Sequence, residues 1–261
     1  MMKSNETVLI TGASGGIGKE LAFLFAKDGY NLVLVARSYE NLLKVKSEIE
    51  SYSNSKIHLF SKDLSKENEI TSLQKELIEE KIQIDYLVNN AGFGLFGEFV
   101  NTSLDEELNM IDLNIRTVTH LTKLFLKGMV ERNKGGVMNI ASTAAFQPGP
   151  LMAVYYATKS YVLSFSEALS NELKGTNVKI TAVCPGATET NFGDRANMHE
   201  SKLFQSGVGN VKDVARVAYK GFNDEKTIVI PGVTNKILAT SVRFMPRKLV
   251  TNVVRSIQRR I

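Results

Sequence analysis

Short apolar runs alternate along this chain with longer stretches in which apolar residues recur every three or four positions. The short runs, at 7–10, 31–35, 56–60, 86–88, 136–141, 179–183 and 227–230, read as strands. Residues 31–35 are apolar on both faces, the pattern of a strand covered on both sides. Helical spacing follows in Ile17, Leu21, Leu24 and Phe25, then over 40–51 and 67–80. A long pattern over 104–132 reads as two helices, and Asn114 in its middle, a poor helix-interior residue, predicts a local irregularity. A further helix opens near 154, with Val154, Ala157, Tyr161, Phe165, Ala168 and Leu169 on its apolar positions. Strands that alternate with helices predict an α/β fold, a doubly wound parallel sheet of about seven strands with helices on both faces. No repeat, low-complexity tract or linker interrupts 1–261, so one domain is expected.

In such sheets ligands sit beyond the C-terminal strand ends. Gly12, Arg37, Asp63, Asn90, Ser142 and Pro185 with Gly186 all fall there. The first strand runs into T-G-A-S-G-G-I-G at 11–18 and at once into a helix that closes at Asp28-Gly29. Glycines let backbone approach a pyrophosphate, and a helix N-terminus offers unpaired N–H groups, so this turn has the context that a Rossmann-like dinucleotide site needs; the alternative is a plain loop. Its spacing, Gly12, Gly16 and Gly18, is not the usual G-x-G-x-x-G. NAD-preferring sites place an acid at the end of the second strand. Here that end is Ala36-Arg37-Ser38. Arg37 suits a 2′-phosphate and Ser14 adds a hydroxyl, so NADP(H) is expected over NAD(H); the alternative is that Arg37 is only a solvated surface charge. Asp63, before Leu64, is placed either to accept from an adenine amino group or to cap the next helix. Asn89-Asn90-Ala91-Gly92 suggests backbone packed tightly against a ligand or a neighbouring strand.

Tyr155 and Lys159 lie four residues apart in Y-Y-A-T-K and share one helix face. An ammonium beside a phenol favours the phenolate, so the Tyr155 pKa is expected below its ordinary value of about 10. Such a phenol can pass a proton to a carbonyl oxygen as hydride reaches the carbon, and Ser142 can hydrogen-bond the same oxygen. The spacing alone is weak: Tyr52 and Lys56 also satisfy it, outside any helical context.

Composition narrows the class further. No apolar run reaches the length of a membrane span, and the polar start M-M-K-S-N-E-T carries no signal-peptide core, so a cytoplasmic protein is expected. A single Cys184 excludes an internal disulfide and a Cys-rich metal site, and His58, His120 and His199 stand far apart, so no metal is expected. The net charge of +5 is uneven. Residues 226–261 hold eight Lys or Arg and no acid, against 24 basic and 27 acidic residues before them. Stretch 232–261 reads as a basic helical extension, two amphipathic helices around Met245-Pro246-Arg247. It packs on the body or a sister subunit, or contacts anionic membranes weakly through Ile237, Leu238, Val242 and Phe244 among its cations. Nucleic acid is not expected, because no aromatic platform or reading helix accompanies the charge.

Taken together, T-G-A-S-G-G-I-G (11–18), D-L (63–64), N-N-A-G (89–92), Asn114, Ser142, Y-Y-A-T-K (155–159) and P-G-A-T-E-T (185–190) resemble the short-chain dehydrogenase/reductase family, single-domain type. The resemblance covers residues 7 to about 190 in the family's order, and the Gly spacing differs from that of the family's extended type. It implies a catalytic tetrad of Asn114, Ser142, Tyr155 and Lys159. Tyr155 would be the acid/base, Lys159 would lower its pKa and bind the nicotinamide ribose, Ser142 would polarise the carbonyl, and Asn114 would hold a relay water. It also implies cofactor contacts from Gly12, Ser14, Gly16, Ile17, Gly18, Asp63, Leu64, Asn90, Ala91, Gly92, Pro185, Gly186, Thr188 and Thr190. A homo-oligomer, dimer or tetramer, belongs to the same implication. Many single-domain members stop soon after their last strand with Asp-Gly-Gly; here Pro231-Gly232 is followed by a further 29 residues. This ending is more similar to the branch of short-chain oxidoreductases related to ketoacyl and steroid reductases.

Phe93, Leu95, Phe96, Ala144, Phe146, Met152 and segment 190–207 with Phe192 are expected to line an apolar substrate pocket; the alternative is that these apolar residues belong to the core. The resulting expectation is an NADP(H)-dependent oxidoreductase that reduces a hydrophobic ketone or aldehyde, reversible as an alcohol dehydrogenase. The alternatives are a non-catalytic NADP(H)-binding sensor or scaffold, and NAD-linked alcohol oxidation.

Overall fold

The computed structural model describes residues 6–190 and 208–258. The strands are β1 (Thr7–Thr11), β2 (Asn31–Ala36), β3 (Ile57–Ser61), β4 (Tyr86–Asn89), β5 (Gly135–Ile140), β6 (Val178–Val183) and β7 (Ile228–Val229). All pair in parallel, in the order β3-β2-β1-β4-β5-β6-β7. The predicted doubly wound sheet is therefore present, and its winding reverses between β1 and β4.

Side-chain alternation divides the core. Val8, Ile10, Leu32 and Leu34 point to the face covered by α1 (Gly16–Lys27), α2 (Tyr39–Glu50) and α7 (Val211–Asn223). Leu9, Val33, Val35 and Leu87 point to the other, covered by α3 (Glu67–Glu79), α4 (Leu104–Ile111) and α5 (Thr117–Glu131), with α6 (Ala153–Glu172) beside them on β6. Fully buried anchors such as Leu21 and Phe25 of α1 each contribute about 1.5–3 kcal/mol.

The irregularity expected near Asn114 is a π-helical turn, Asp112–Arg116, joining α4 to α5. Helix α7 falls where the sequence pattern above assigns no element, although Asn210 caps it by accepting from the N–H groups of Lys212 and Asp213. The basic extension forms α8 (Val233–Ser241), a 3-10 turn at Val242–Phe244 and α9 (Arg247–Gln258). Among the described residues no helix is long and apolar enough to cross a membrane, and no group of His, Cys, Asp or Glu could hold a metal.

A buried polar chain ties the sheet to the helices of one face. Asn89 Nδ2 donates to Asn139 Oδ1 at 2.9 Å and to Thr122 Oγ1 at 3.1 Å. Asn139 Nδ2 donates to Ser166 Oγ at 2.9 Å, and that hydroxyl donates to Val162 O. Four elements, β4, β5, α5 and α6, are joined with no water needed. Asn139→Ala removes one of the two acceptors of the Asn89 amide and opens a cavity, so it is expected to cost about 2–4 kcal/mol. Urea denaturation checks this through a lower midpoint at unchanged slope; an unmoved midpoint would show that the chain is dispensable.

Candidate active site

The glycine turn lies at the seam between β1 and β4. Thr11 Oγ1 accepts from the N–H groups of Asn90 and Ala91, each at 3.0 Å. Asn90 Nδ2 returns two bonds, to Thr11 O at 2.9 Å and Gly12 O at 3.2 Å. Gly12 stands at φ +66, and a Cβ there would meet Asn90 Nδ2 at 2.8 Å. A Cβ on Gly18 would lie 2.5 Å from both Asn90 Nδ2 and Gly12 O. Glycine is thus required at both positions for the loop to lie against the seam. Residue Gly15 precedes α1 without any side-chain cap, and the first turn carries no acid. The N–H groups of that turn remain available to an anion.

This seam forms part of the wall of a cavity of about 880 Å³. Gly12, Ser14, Gly16, Ile17, Asn90, Ala91 and Gly92 line its middle. Arg37, Asn41, Lys62, Asp63 and Leu64 also line it, at the ends of β2 and β3. Arg37 is exposed and pairs with no acid among the described residues, whereas Lys62 is held by Glu76 and Ser72. Asp63 Oδ1 accepts from Ser65 N and Oγ, so this carboxylate braces its own turn while facing the cavity. The glycine cradle, the uncapped helix end and a free guanidinium along one continuous cavity fit a nicotinamide dinucleotide.

Ser142, Tyr155 and Lys159 meet on the cavity wall. β5 delivers Ser142, whose Oγ accepts from Ala144 N at 3.1 Å and reaches Pro185 O at 3.4 Å. α6 carries Tyr155 and Lys159 one turn apart, with Nζ 5.8 Å from the Tyr155 ring centroid. Lys159 Nζ donates to Ile140 O at 2.8 Å. Asn114 stands behind them, out of the cavity wall. The π turn aims its side chain at Phe93, with Oδ1 accepting from Phe93 N at 3.2 Å and Nδ2 donating to Phe93 O at 2.9 Å and Thr158 Oγ1 at 3.1 Å. A Cβ on Gly92 would meet Asn114 Oδ1 at 2.9 Å and Lys159 Nζ at 3.5 Å, so a glycine lets the two groups close around the loop.

The expected fall in the Tyr155 pKa is not found. Burial raises it above the ordinary phenol value, and the hydrogen bond with Ser142 offsets this only in part. Lys159 is itself buried, which lowers its pKa to about 8, and its ammonium is spent on Ile140 O. Desolvation thus outweighs the charge effect that spacing alone suggested.

Other predicted residues divide. Pro185, Gly186, Thr188, Thr190, Ala144 and Met152 line the cavity. Gly18 lies beneath it as a packing contact. Phe93 is buried in the main core, Leu95 and Phe96 pack against that core, and Phe146 packs against a separate cluster with Val118 and Val162. None of these four is on the cavity wall. Phe192 lies outside the described residues. What the sequence reading did not place there is the wall supplied by the C-terminal helices, including Leu238, Val242, Met245, Val253 and Ile257. Tyr156 is a further addition, held by a hydrogen bond from Gln258 Nε2 of α9. The i, i+4, i+8 spacing of Val250, Val254 and Gln258 marks the inward face of α9 and is readable in the sequence, but not what that face covers.

Comparison with known proteins agrees with this geometry. The family model for short chain dehydrogenase matches residues 6–201. A ketoacyl reductase of Nostoc sp. is 32% identical over 228 residues, 87% of this chain and 78% of that protein. The short-chain dehydrogenase from Sphingobium yanoikuyae, solved in complex with NADPH, superposes with a TM-score of 0.83 at 31% identity over 92% of this chain and 93% of that one. The bulky-bulky ketone specific alcohol dehydrogenase from Comamonas testosteroni gives 0.78 at 30% identity over 93% of each chain. With the sheet, the glycine turn and the Ser–Tyr–Lys cluster in place, the chain belongs to the short-chain dehydrogenase family of oxidoreductases, enzymes that act on CH–OH groups with a nicotinamide cofactor.

Proposed function

We propose that this enzyme is an NADP(H)-dependent carbonyl reductase for a hydrophobic ketone or aldehyde, able to run in reverse as an alcohol dehydrogenase. The observation that carries this reading is one cavity whose lining holds an Arg37 that pairs with no acid among the described residues, with Ser142, Tyr155 and Lys159 together on its wall. The NADPH bound by the Sphingobium relative and the ketones named for the Comamonas relative support it.

The cofactor, when bound, supplies hydride to the carbonyl carbon. Gly12, Ser14, Gly16 and Ile17 would hold its pyrophosphate on the α1 N-terminus, with Gly18 giving the helix its close packing. Arg37 would meet the 2′-phosphate; Asp63 and Leu64 would border the adenine. Asn90, Ala91, Gly92, Pro185, Gly186, Thr188 and Thr190 would line the nicotinamide side. Ser142 Oγ orients the carbonyl by donating to its oxygen. Tyr155 gives that oxygen its phenolic proton. Its raised pKa keeps the proton in place until the oxygen gains charge, and the Lys159 ammonium then steadies the phenolate. Asn114 fixes the Phe93 backbone and the π turn beside Lys159, on the route by which the proton is replaced. The substrate would rest on Ala144, Met152 and the apolar side chains of α8 and α9. A homodimer or tetramer, a cytoplasmic location and a weak contact of the basic extension with anionic membranes complete the reading.

Tyr155→Phe removes the proton donor and should lower kcat/KM by about 10²–10⁴ while NADPH titration stays near wild type; a fully active variant would sink the mechanism. Arg37→Ala should weaken NADPH binding roughly tenfold or more and leave NADH unchanged, the scale of one charge-assisted bond to phosphate. Equal cofactor affinities in the wild type would instead point to NAD-linked alcohol oxidation.

The buried lysine also has a stability signature. Its folded pKa, about 8, lies below the ordinary lysine value. Between those values the unfolded chain binds more protons, so the ligand-free enzyme should gain stability as pH rises from 8 to 10, by on the order of 2 kcal/mol. Below pH 8 the cost is fully present. Chemical denaturation of wild type against Lys159→Met over this range measures it, and parallel pH curves for the two would refute it.

A further inference from the structure

The C-terminal helices carry a surface whose composition differs from the rest of the molecule. Val233 and Ile237 of α8, Phe244 in the turn and Leu249 of α9 are exposed, Phe244 by 84%. Lys236, Arg243, Arg247 and Lys248 are interleaved with them, all exposed. None of these four cations pairs with an acid among the described residues, whereas Arg255 further along is engaged by Glu98. No Asp or Glu occurs anywhere in 226–261.

Three apolar residues connect this surface to the active site. Leu238 of α8 and Val253 and Ile257 of α9 line the cavity and are also exposed, at 58%, 41% and 42%. The inward neighbours Val250 and Val254 are buried in the core that holds Tyr155 and Tyr156. The cavity therefore reaches the surface along the same two helices that present the apolar and cationic side chains.

Exposed apolar side chains set among unpaired cations fit a surface with negative headgroups above an apolar interior. A second copy of the chain fits less well. A two-fold interface would set this patch against itself and bring eight cations together with no acid from either segment.

We propose that the α8–α9 face docks on an anionic phospholipid surface, and that the substrate cavity opens there to receive a lipid-dissolved apolar carbonyl compound. The docking stands by itself; the delivery step rests on the carbonyl-reductase reading above. Arg243, Arg247, Lys236 and Lys248 supply the long-range attraction. Phe244, Ile237 and Leu249 insert at the headgroup boundary, and Leu238, Val253 and Ile257 form an apolar mouth through which a ketone passes without crossing water.

The test uses the full chain with phosphatidylcholine vesicles, either pure or with about one-third phosphatidylglycerol. Flotation should recover the protein with the anionic vesicles at low salt and much less with neutral ones. Each neutralised cation should weaken binding roughly fivefold. The quadruple variant Lys236→Ser, Arg243→Ser, Arg247→Ser, Lys248→Ser should therefore stay in solution, as should Phe244→Ser in part. The quadruple variant should reduce a short water-soluble ketone at the wild-type rate but a vesicle-dissolved long-chain ketone at least tenfold more slowly. Absence of wild-type flotation at low salt overturns the docking. So does a dimer, seen by light scattering, that dissociates on Phe244→Ser while vesicles bind nothing. Equal rates for both proteins on the vesicle-borne ketone overturn delivery alone. Flotation with no turnover of either ketone overturns the assigned reaction, and leaves the lipid contact standing.

Discussion

The site depends on how two backbone segments some 80 residues apart are held at one seam. A parallel sheet that reverses its winding leaves a cleft between β1 and β4, where the following loops depart in opposite directions. Backbone N–H and C=O groups in such a cleft need partners. Thr11 and Asn90 provide them reciprocally, the hydroxyl accepting two N–H groups and the amide donating to two carbonyls. The same closeness removes the space for a Cβ at Gly12 and Gly18. Laid against Asn90, the turn directs the uncapped start of α1 into the cavity. Three further groups of the site take their positions from strand ends registered to this seam: Arg37 through β2, Asp63 through β3 and Ser142 through β5.

Which parts of this were readable in the sequence follows from the range of the physical signals. Strand runs and helical spacing are local, so the strands, the glycine turn and a break in the helix at Asn114 could be read from neighbouring residues, though not that the break is a π turn. Helix α7 was readable too, from its Asn210 cap and the spacing of Val214, Ala215, Ala218 and Phe222. Its inward face, with Val214, Ala215, Ala218, Gly221 and Phe222 buried, packs on α1. The pocket wall was not readable. Phe93, Leu95 and Phe146 are as apolar as Met152, and hydrophobicity does not distinguish a core position from a cavity wall. The C-terminal helices return to the site across about a hundred residues, as in the Gln258–Tyr156 bond, and no local pattern encodes that return.

The Tyr155–Lys159 pair shows the same limit in energetic form. Spacing places the two on one helix face, and Coulomb attraction to an ammonium would favour the phenolate. Full burial can shift a pKa by three to five units, against about one to three for a neighbouring charge. Both groups are buried, so desolvation decides the sign: it raises the Tyr155 pKa and lowers that of Lys159. In the proposed reduction the proton would stay on Tyr155 until charge builds on the substrate oxygen, when a desolvated ammonium nearby would be worth most.

In the proposed reading, chemistry and selectivity are carried by different stretches of this chain. The family model matches residues 6–201, which contain the glycine turn, Ser142, Tyr155 and Lys159. The part of the cavity wall built from Leu238, Val242, Met245, Val253 and Ile257 lies beyond it. Hydride and proton transfer need fixed geometry at a few atoms, which the sheet edge supplies. Recognition of an apolar substrate needs area, which two amphipathic helices supply by turning one side inward. A helix that buries Val250 and Val254 yet leaves Leu249, Val253 and Ile257 half open is only partly satisfied by the body beneath it. The remaining apolar surface has two claimants, the substrate inside the mouth and whatever lies against it outside. A single source for both, an apolar phase bearing negative headgroups, would account for the exposed cations of the same two-helix segment as well as for its apolar side chains.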